Sequence, residues 1–237
     1  MTVPIFREDA YQKSCTAIVT GINDKGGIVL DQTVFYPTGG GQPGDKGTLT
    51  LSDGSLLTIT TTIKGESPDE IVHVPQEDQK LPSVGETITA EIDWESRYRL
   101  MRMHSCLHLL TAALPYPVTG GQVSDGKGRL DFDLPELTLD KQEITTKLNQ
   151  LINENRDLSS SWITDEELDA KPEMVKTMSV QPPRGSGKIR LIRVEGIDLQ
   201  PCGGTHIKNT SEIGSVLVRK IEKKGRQNRR VSLIFDE

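Results

Sequence analysis

The chain has 237 residues, a length that allows one large domain or two smaller ones, each with its own core. Aromatic residues are only 4%, so Val, Ile and Leu must fill the interior, and no stretch approaches the roughly 18 apolar residues of a membrane span. A formal net charge of −6 argues against a protein that simply coats nucleic acid, and three scattered cysteines (Cys15, Cys106 and Cys202) are too few for a disulfide framework.

The first residues, MTVPIFREDAYQK, place Arg7, Glu8 and Asp9 where a signal peptide needs an apolar run. This predicts a soluble protein of a reducing compartment, the cytosol. Residues 1–92 then read as short strands between turns. TAIVTGI, GGIVLDQTVFY, GTLTLS and LLTITTTI are rich in Val, Ile and Thr, with Asn-Asp, Gly-Gly and Asp-Gly punctuation. LPSVGETITAEID reads as the closing strand, turning at Pro82 and Gly85. Such spacing predicts a small β-barrel over residues 1–93.

The pattern changes at Trp94. Leu100, Met103, Leu107, Leu110 and Leu114 recur at helical spacing until Pro115 stops the run. LTLDKQEITTKLNQLINENRDLSSSW predicts a second amphipathic helix, with Asp140 as N-cap, Glu143 completing a capping box, and Ile144, Leu148, Leu151 and Ile152 as the buried stripe. QPPRGSGK reads as a loop. KIRLIRVEGID, GSVLVRKIEKK and RRVSLIFD read as strands. Residues 94–237 therefore form an α+β domain, an antiparallel sheet covered by helices, and the whole chain is α+β.

Chemistry concentrates in two places. His104 and His108, in MRMHSCLHLLTAAL, lie four residues apart and so share one helix face. Cys202 and His206, in PCGGTH, supply a second pair. Three imidazoles and a thiolate make a tetrahedral zinc shell, and Gly203 and Gly204 would let the chain turn between ligands. Four of the chain's seven His and Cys residues fall in these two clusters. Ser105 stands where a metalloprotease needs glutamate, which removes that reading. Cys106 points to another helix face and reads as a packed thiol. Asp131 and Asp133 alternate with apolar residues and read as solvent-facing or structural, not as an acid/base pair.

Two further features bear on partners. FYPTGGGQPGD, residues 35–45, exposes backbone amides at three glycines, with Gln42 and Asp45 placed to present a side chain. Positive charge gathers in VRKIEKKGRQNRRVSL and at Arg97, Arg99 and Arg102. Each cluster alone reads as a solvated face, but both adjoin a ligand pair, which suggests a phosphate-facing surface.

HSCLH, PCGGTH followed by IKNTSEIGSV, and FYPTGGGQPGDKG together resemble the alanyl-tRNA editing proteins, free-standing relatives of the editing domain of alanyl-tRNA synthetase. The resemblance covers nearly the whole chain and is to the medium-length class. It implies a trans-editing hydrolase that removes serine or glycine from mischarged alanine tRNA. It also implies zinc ligation by His104, His108, Cys202 and His206, and an editing cleft faced by Gly39–Gly41 and Gln42. Thr119 and Gln122, in VTGGQVSD, fall near the family's amino-acid-discriminating residues, while Gly120 and Gly121 depart from some relatives. The expected state is a monomer. Besides a generic metallohydrolase acting on small esters, two other readings stay open. One is deacylation of another mischarged tRNA, such as threonine tRNA. The other is a non-catalytic, zinc-stabilised tRNA-binding module.

Overall fold

The computed structural model of the protein describes residues 1–67, 69–134, 139–178 and 188–237. They form two compact units, Met1–Tyr98 and Arg99–Glu237, the division falling within helix α1 (Trp94–Ala113). Among the described residues no helix is long and apolar enough to cross a membrane.

The first unit contains β1 (Val3–Pro4), β2 (Ser14–Ile22), β3 (Ile28–Leu30), β4 (Gln32–Thr33), β5 (Gly47–Thr50), β6 (Leu56–Lys64), β7 (Ile71–Pro75) and β8 (Thr87–Ile92). Six of them close into the expected barrel, in the order β2-β3-β7-β6-β5-β8, with every pairing antiparallel. Alternation dictates which face goes in. In β2, Cys15, Ala17 and Val19 are buried while Ser14, Thr16 and Ile18 are exposed, and β8 buries Ile88, Ala90 and Ile92 in the same rhythm. Closure leaves no unpaired edge in this sheet. Strand β7 is an addition to the strands that the sequence predicts. It brings His73 into the interior.

The glycine-rich segment links β4 to β5. Gly39 and Gln42 exchange backbone hydrogen bonds of 3.1 and 2.9 Å around Gly40 and Gly41, whose φ values are +56° and +81°. This is a two-residue turn of the type that needs positive φ at both central positions, which glycine adopts without steric cost. The following residues correct one expectation. Asp45 presents no side chain to solvent: its carboxylate is buried against the Arg97 guanidinium, which donates Nε to both Asp45 oxygens at 3.0 Å. Arg97 also donates to the carbonyls of Ala10 and Val34 at 2.9 and 2.6 Å, and Tyr36 N donates to Asp45 Oδ2 at 2.6 Å. A buried ion pair persists only when its remaining hydrogen-bonding capacity is also met, and here it is. Arg97 is therefore a clamp on the loop and not part of a phosphate-facing surface.

The second unit contains the rest of α1, then β9 (Val118–Ser124), β10 (Lys127–Asp133), α2 (Lys141–Asn153), β11 (Leu158–Ile163), α3 (Asp165–Asp169), β12 (Ile189–Val194), β13 (Asp198–Pro201), β14 (Val216–Lys224) and β15 (Asn228–Phe235). Two antiparallel sheets result, β14-β15-β10-β9 and β11-β12-β13. From Met103 to Thr111 every residue of α1 is buried, so this stretch is enclosed on all sides and has no solvent face. Strand β10 comes so near that a Cβ on Gly128 would lie 2.8 Å from Met103 Sδ.

Asp140 caps α2 as predicted, its carboxylate accepting from Glu143 N at 2.8 Å. The helix then ends earlier than the sequence suggests. Asn155 sits in the left-handed region (φ 57°) just past the end, and LSSSWI turns out to be strand β11. Along α2, Asn149 donates to Val216 O at 2.9 Å and accepts from Val216 N at 3.1 Å, and Thr145 Oγ1 accepts from Val218 N at 3.0 Å. Residues 181–187 of the QPPRGSGK loop lie outside the described residues.

Candidate metal centre

Helix α1 and the loop after β13 converge on one cluster. The ligand atoms of His104, His108, Cys202 and His206 all lie within 4.8 Å of one another, with the three imidazoles buried and Cys202 partly so. Cys202 Sγ is 3.5 Å from His104 Nε2 and 3.3 Å from His206 Nε2. A tetrahedral zinc ion with bonds of about 2.0–2.1 Å to nitrogen and 2.3 Å to sulfur sets nitrogen and sulfur about 3.5 Å apart. Donor types and spacing both fit that ion.

The surroundings orient the ligands. Ser105 Oγ lies 3.0 Å from His206 Nδ1 and 3.4 Å from Ile207 N, so Nε2 of His206 is the nitrogen left facing Cys202. The residue that excluded a metalloprotease thus supports a ligand. His108 Nδ1 lies 3.2 Å from Asp198 Oδ2. Arg190 holds the ligand loop. Its Nη1 donates to Gly204 O at 2.8 Å and to Cys202 O at 3.4 Å, while Cys202 N donates to Arg190 O at 3.0 Å. Neither Gly203 nor Gly204 has positive φ, and a Cβ on Gly203 would meet nothing within 4 Å. The bend at Gly204 is therefore made without a left-handed backbone at either glycine.

Electrostatics favour a thiolate. Burial pushes the Cys202 thiol up, but the neighbouring His104 and His206 imidazoles outweigh it and hold the group well below the ordinary thiol range. Burial also pushes the His206 imidazole well down, reinforced by His104. Cys106 is the contrast. Sealed in the core without a charged neighbour, its thiol is pushed up to about 12, as a packed, unreactive cysteine should be.

The other candidate residues have partners of their own. Thr119 is the extra residue of a bulge in β9, since Gly120 pairs with Asp131 and Val118 with Phe132. Its hydroxyl lies 3.2 Å from Asp131 O and 3.0 Å from Asn228 Oδ1. Gln122 is exposed and accepts from Arg129 Nε at 3.3 Å; Arg129 in turn donates to Asp131, which Arg230 grips through Nε and Nη2 at 2.7 and 2.8 Å. Thr119 and Gln122 thus join one hydrogen-bonded row, and Asp131 is structural as predicted. Gln42 is buried in the first unit beside an exposed turn tip. Arg99 pairs with Asp125 and Glu237, and Arg102 pairs with Glu237 and donates to Ile213 O at 3.0 and 2.7 Å. These two arginines brace the second unit, Arg99 from a partly exposed position.

Asp198, Gln200, Lys176 and Ser105 were missed as site residues. Only Ser105 carried a sequence signal, its place between the two helix ligands.

Comparison with known proteins fits this geometry. Residues 189–232 match the family described as threonyl and alanyl tRNA synthetase second additional domain, and residues 4–96 match class II (A) tRNA synthetases. An alanyl-tRNA editing protein AlaX-M of Methanosarcina acetivorans is 34% identical over 98% of both chains. One from Saccharolobus solfataricus is 35% identical over 98% of both. An alanine–tRNA ligase of Sulfurisphaera tokodaii is 34% identical over 94% of this chain and 25% of its own. At that identity along nearly the full length, and with the cluster in place, the chain belongs to the AlaX-M family of alanyl-tRNA editing proteins.

Proposed function

We propose that this protein is a trans-editing hydrolase that cleaves the ester joining serine, and glycine as a second substrate, to the terminal ribose of alanine tRNA. The observation that carries the reading is the four-donor cluster of His104, His108, Cys202 and His206 in a chain related end to end to editing proteins. Zinc is the ion we assign to the cluster; when bound, it supplies a fixed positive charge and Lewis-acid polarisation.

The chain's residues do the remaining work. An aminoacyl ester is already activated, so its hydrolysis needs a positioned water and a place for developing negative charge more than a strong nucleophile. That suits this site: Cys202 is engaged with the imidazoles, and Cys106 is buried and protonated. Thr119 and Gln122 are assigned to amino-acid discrimination, because serine differs from alanine by one hydroxyl and both residues offer polar groups on a partly open strand. Gln42 is the third candidate, through the exposed Gly40–Gly41 tip beside it.

The test is to incubate the protein with alanine tRNA charged separately with serine, glycine and alanine. Serine should leave much faster than alanine, and Thr119→Val should narrow that ratio at unchanged zinc content. Equal rates for serine and alanine would remove the proofreading role. Binding without loss of any amino acid would make the protein a tRNA-binding module.

A further inference from the structure

Behind His108 the second unit buries a carboxylate that the chemistry above leaves without a role. The Asp198 side chain, on β13, is fully sealed from solvent. Its Oδ2 faces His108 Nδ1 at 3.2 Å and accepts from Gln200 Nε2 at 2.6 Å, and its Oδ1 meets the Lys176 ammonium. Gln200 Nε2 also lies 3.1 Å from His108 Nδ1 and 3.2 Å from Thr111 Oγ1, one turn beyond His108 on α1. Lys176 is itself fixed. Its carbonyl accepts from Val118 N at 2.9 Å, and Met178 N donates to Val118 O at 2.8 Å.

A carboxylate in such a place is costly unless countercharge and hydrogen bonds meet it. Lys176 supplies the charge and Gln200 one donor. The third direction is taken by an imidazole. An imidazole that gives its Nδ1 proton to a fixed acceptor offers its Nε2 lone pair on the opposite side of the ring. His108 and Cys202 also belong to one donor cluster whose ligand atoms all lie within 4.8 Å of one another.

We propose that Asp198 is the positioning residue of the metal centre, holding His108 in the tautomer that offers Nε2 to the ion, with Lys176 fixing the carboxylate. This rests on the reading of the cluster as a zinc site.

The test uses the full chain and two probes, zinc in competition with a chromophoric chelator and the absorption spectrum of the Co2+-loaded protein. Asp198→Ala should bind zinc about 10- to 100-fold more weakly than wild type. Asp198→Asn keeps a neutral acceptor and should fall between the two, and Lys176→Met should lose less than Asp198→Ala. The ligand-field bands of Co2+ should shift in Asp198→Ala while the thiolate charge-transfer band persists. Wild-type affinity with an unshifted spectrum in Asp198→Ala overturns the proposal. If that variant does not fold, Asp198→Asn decides, and affinity equal to wild type there overturns it too. A wild type that takes up no zinc sinks the zinc reading itself, and this is seen before any variant is compared.

Discussion

His73 and His108 are both buried, yet their imidazoles respond in opposite directions. In the barrel, burial pushes His73 down to about 4 against a weaker pull from the Ile28 carbonyl. Its partners are neutral, Ile28 O at 3.0 Å from Nδ1 and Thr33 Oγ1 at 2.8 Å from Nε2. Burial pushes His108 the same way, but the Asp198 carboxylate and the Cys202 sulfur outweigh it and raise the group to about 9. Burial alone therefore does not mark a functional histidine. Anionic neighbours reverse its direction, and of the two histidines only His108 belongs to a donor set that could hold a cation.

Predictions can break or sharpen that contrast. The largest effect is expected at Arg97. Its replacement by Met strands the buried Asp45 carboxylate and should cost about 3–5 kcal/mol of stability. The chain's two tryptophans, Trp94 and Trp162, fall one in each unit, so Trp94 fluorescence in a Trp162→Phe background reports urea unfolding of the first. Zinc uptake should survive at low urea; its loss would mean the two units are not chemically separate. Next, Cys202→Ala removes one of four donors from a site of about 10–16 kcal/mol, so zinc affinity should fall by roughly 10²-fold. The Trp94 urea midpoint should not move.

Acid should act on the barrel through His73. Its folded-state value lies below the ordinary 6.5, so the unfolded chain binds the proton first. The contribution is fully present above pH 6.5 and is lost as pH falls toward 4, on the order of 3 kcal/mol in all. Urea midpoints at intervals between pH 7 and 4 should show this slope, and His73→Gln should flatten it. A slope unchanged in the variant would assign acid sensitivity elsewhere. The smallest effect concerns the exposed cations Lys223, Lys224 and Arg226 on the β14–β15 hairpin. Changing all three to Gln should weaken tRNA binding several-fold and lower the salt slope by up to about 2–3. Zinc affinity should be unaltered. An unchanged salt dependence returns this hairpin to an ordinary solvated strand end.

Legibility in the sequence followed the range of the interaction. Strict alternation made the barrel strands readable, and the spacing of His104 and His108 made half of the cluster readable, because both patterns are local. The tail of α2 misled because Ser159–Ser161 carry no periodicity, and the stop came from the backbone of Asn155. Arg97 looked like one of three surface arginines. Its burial depends on Asp45, 52 residues away, which no local pattern announces. Asp198 and Lys176 escaped for the same reason. Their meaning is set by a helix about ninety residues earlier and a segment twenty-two residues back.

The side chains of Thr145 and Asn149 have a consequence for the rim of the sheet in the second unit. Strand β14 is the outermost of its sheet, and backbone groups along its rim are met by helix α2. A helix here impersonates a neighbouring strand, answering Val216 with an amide that gives and takes as a peptide would. Take those two side chains away and the rim becomes a template for strand addition by another chain. The cover on that stretch of the rim rests on one amide and one hydroxyl.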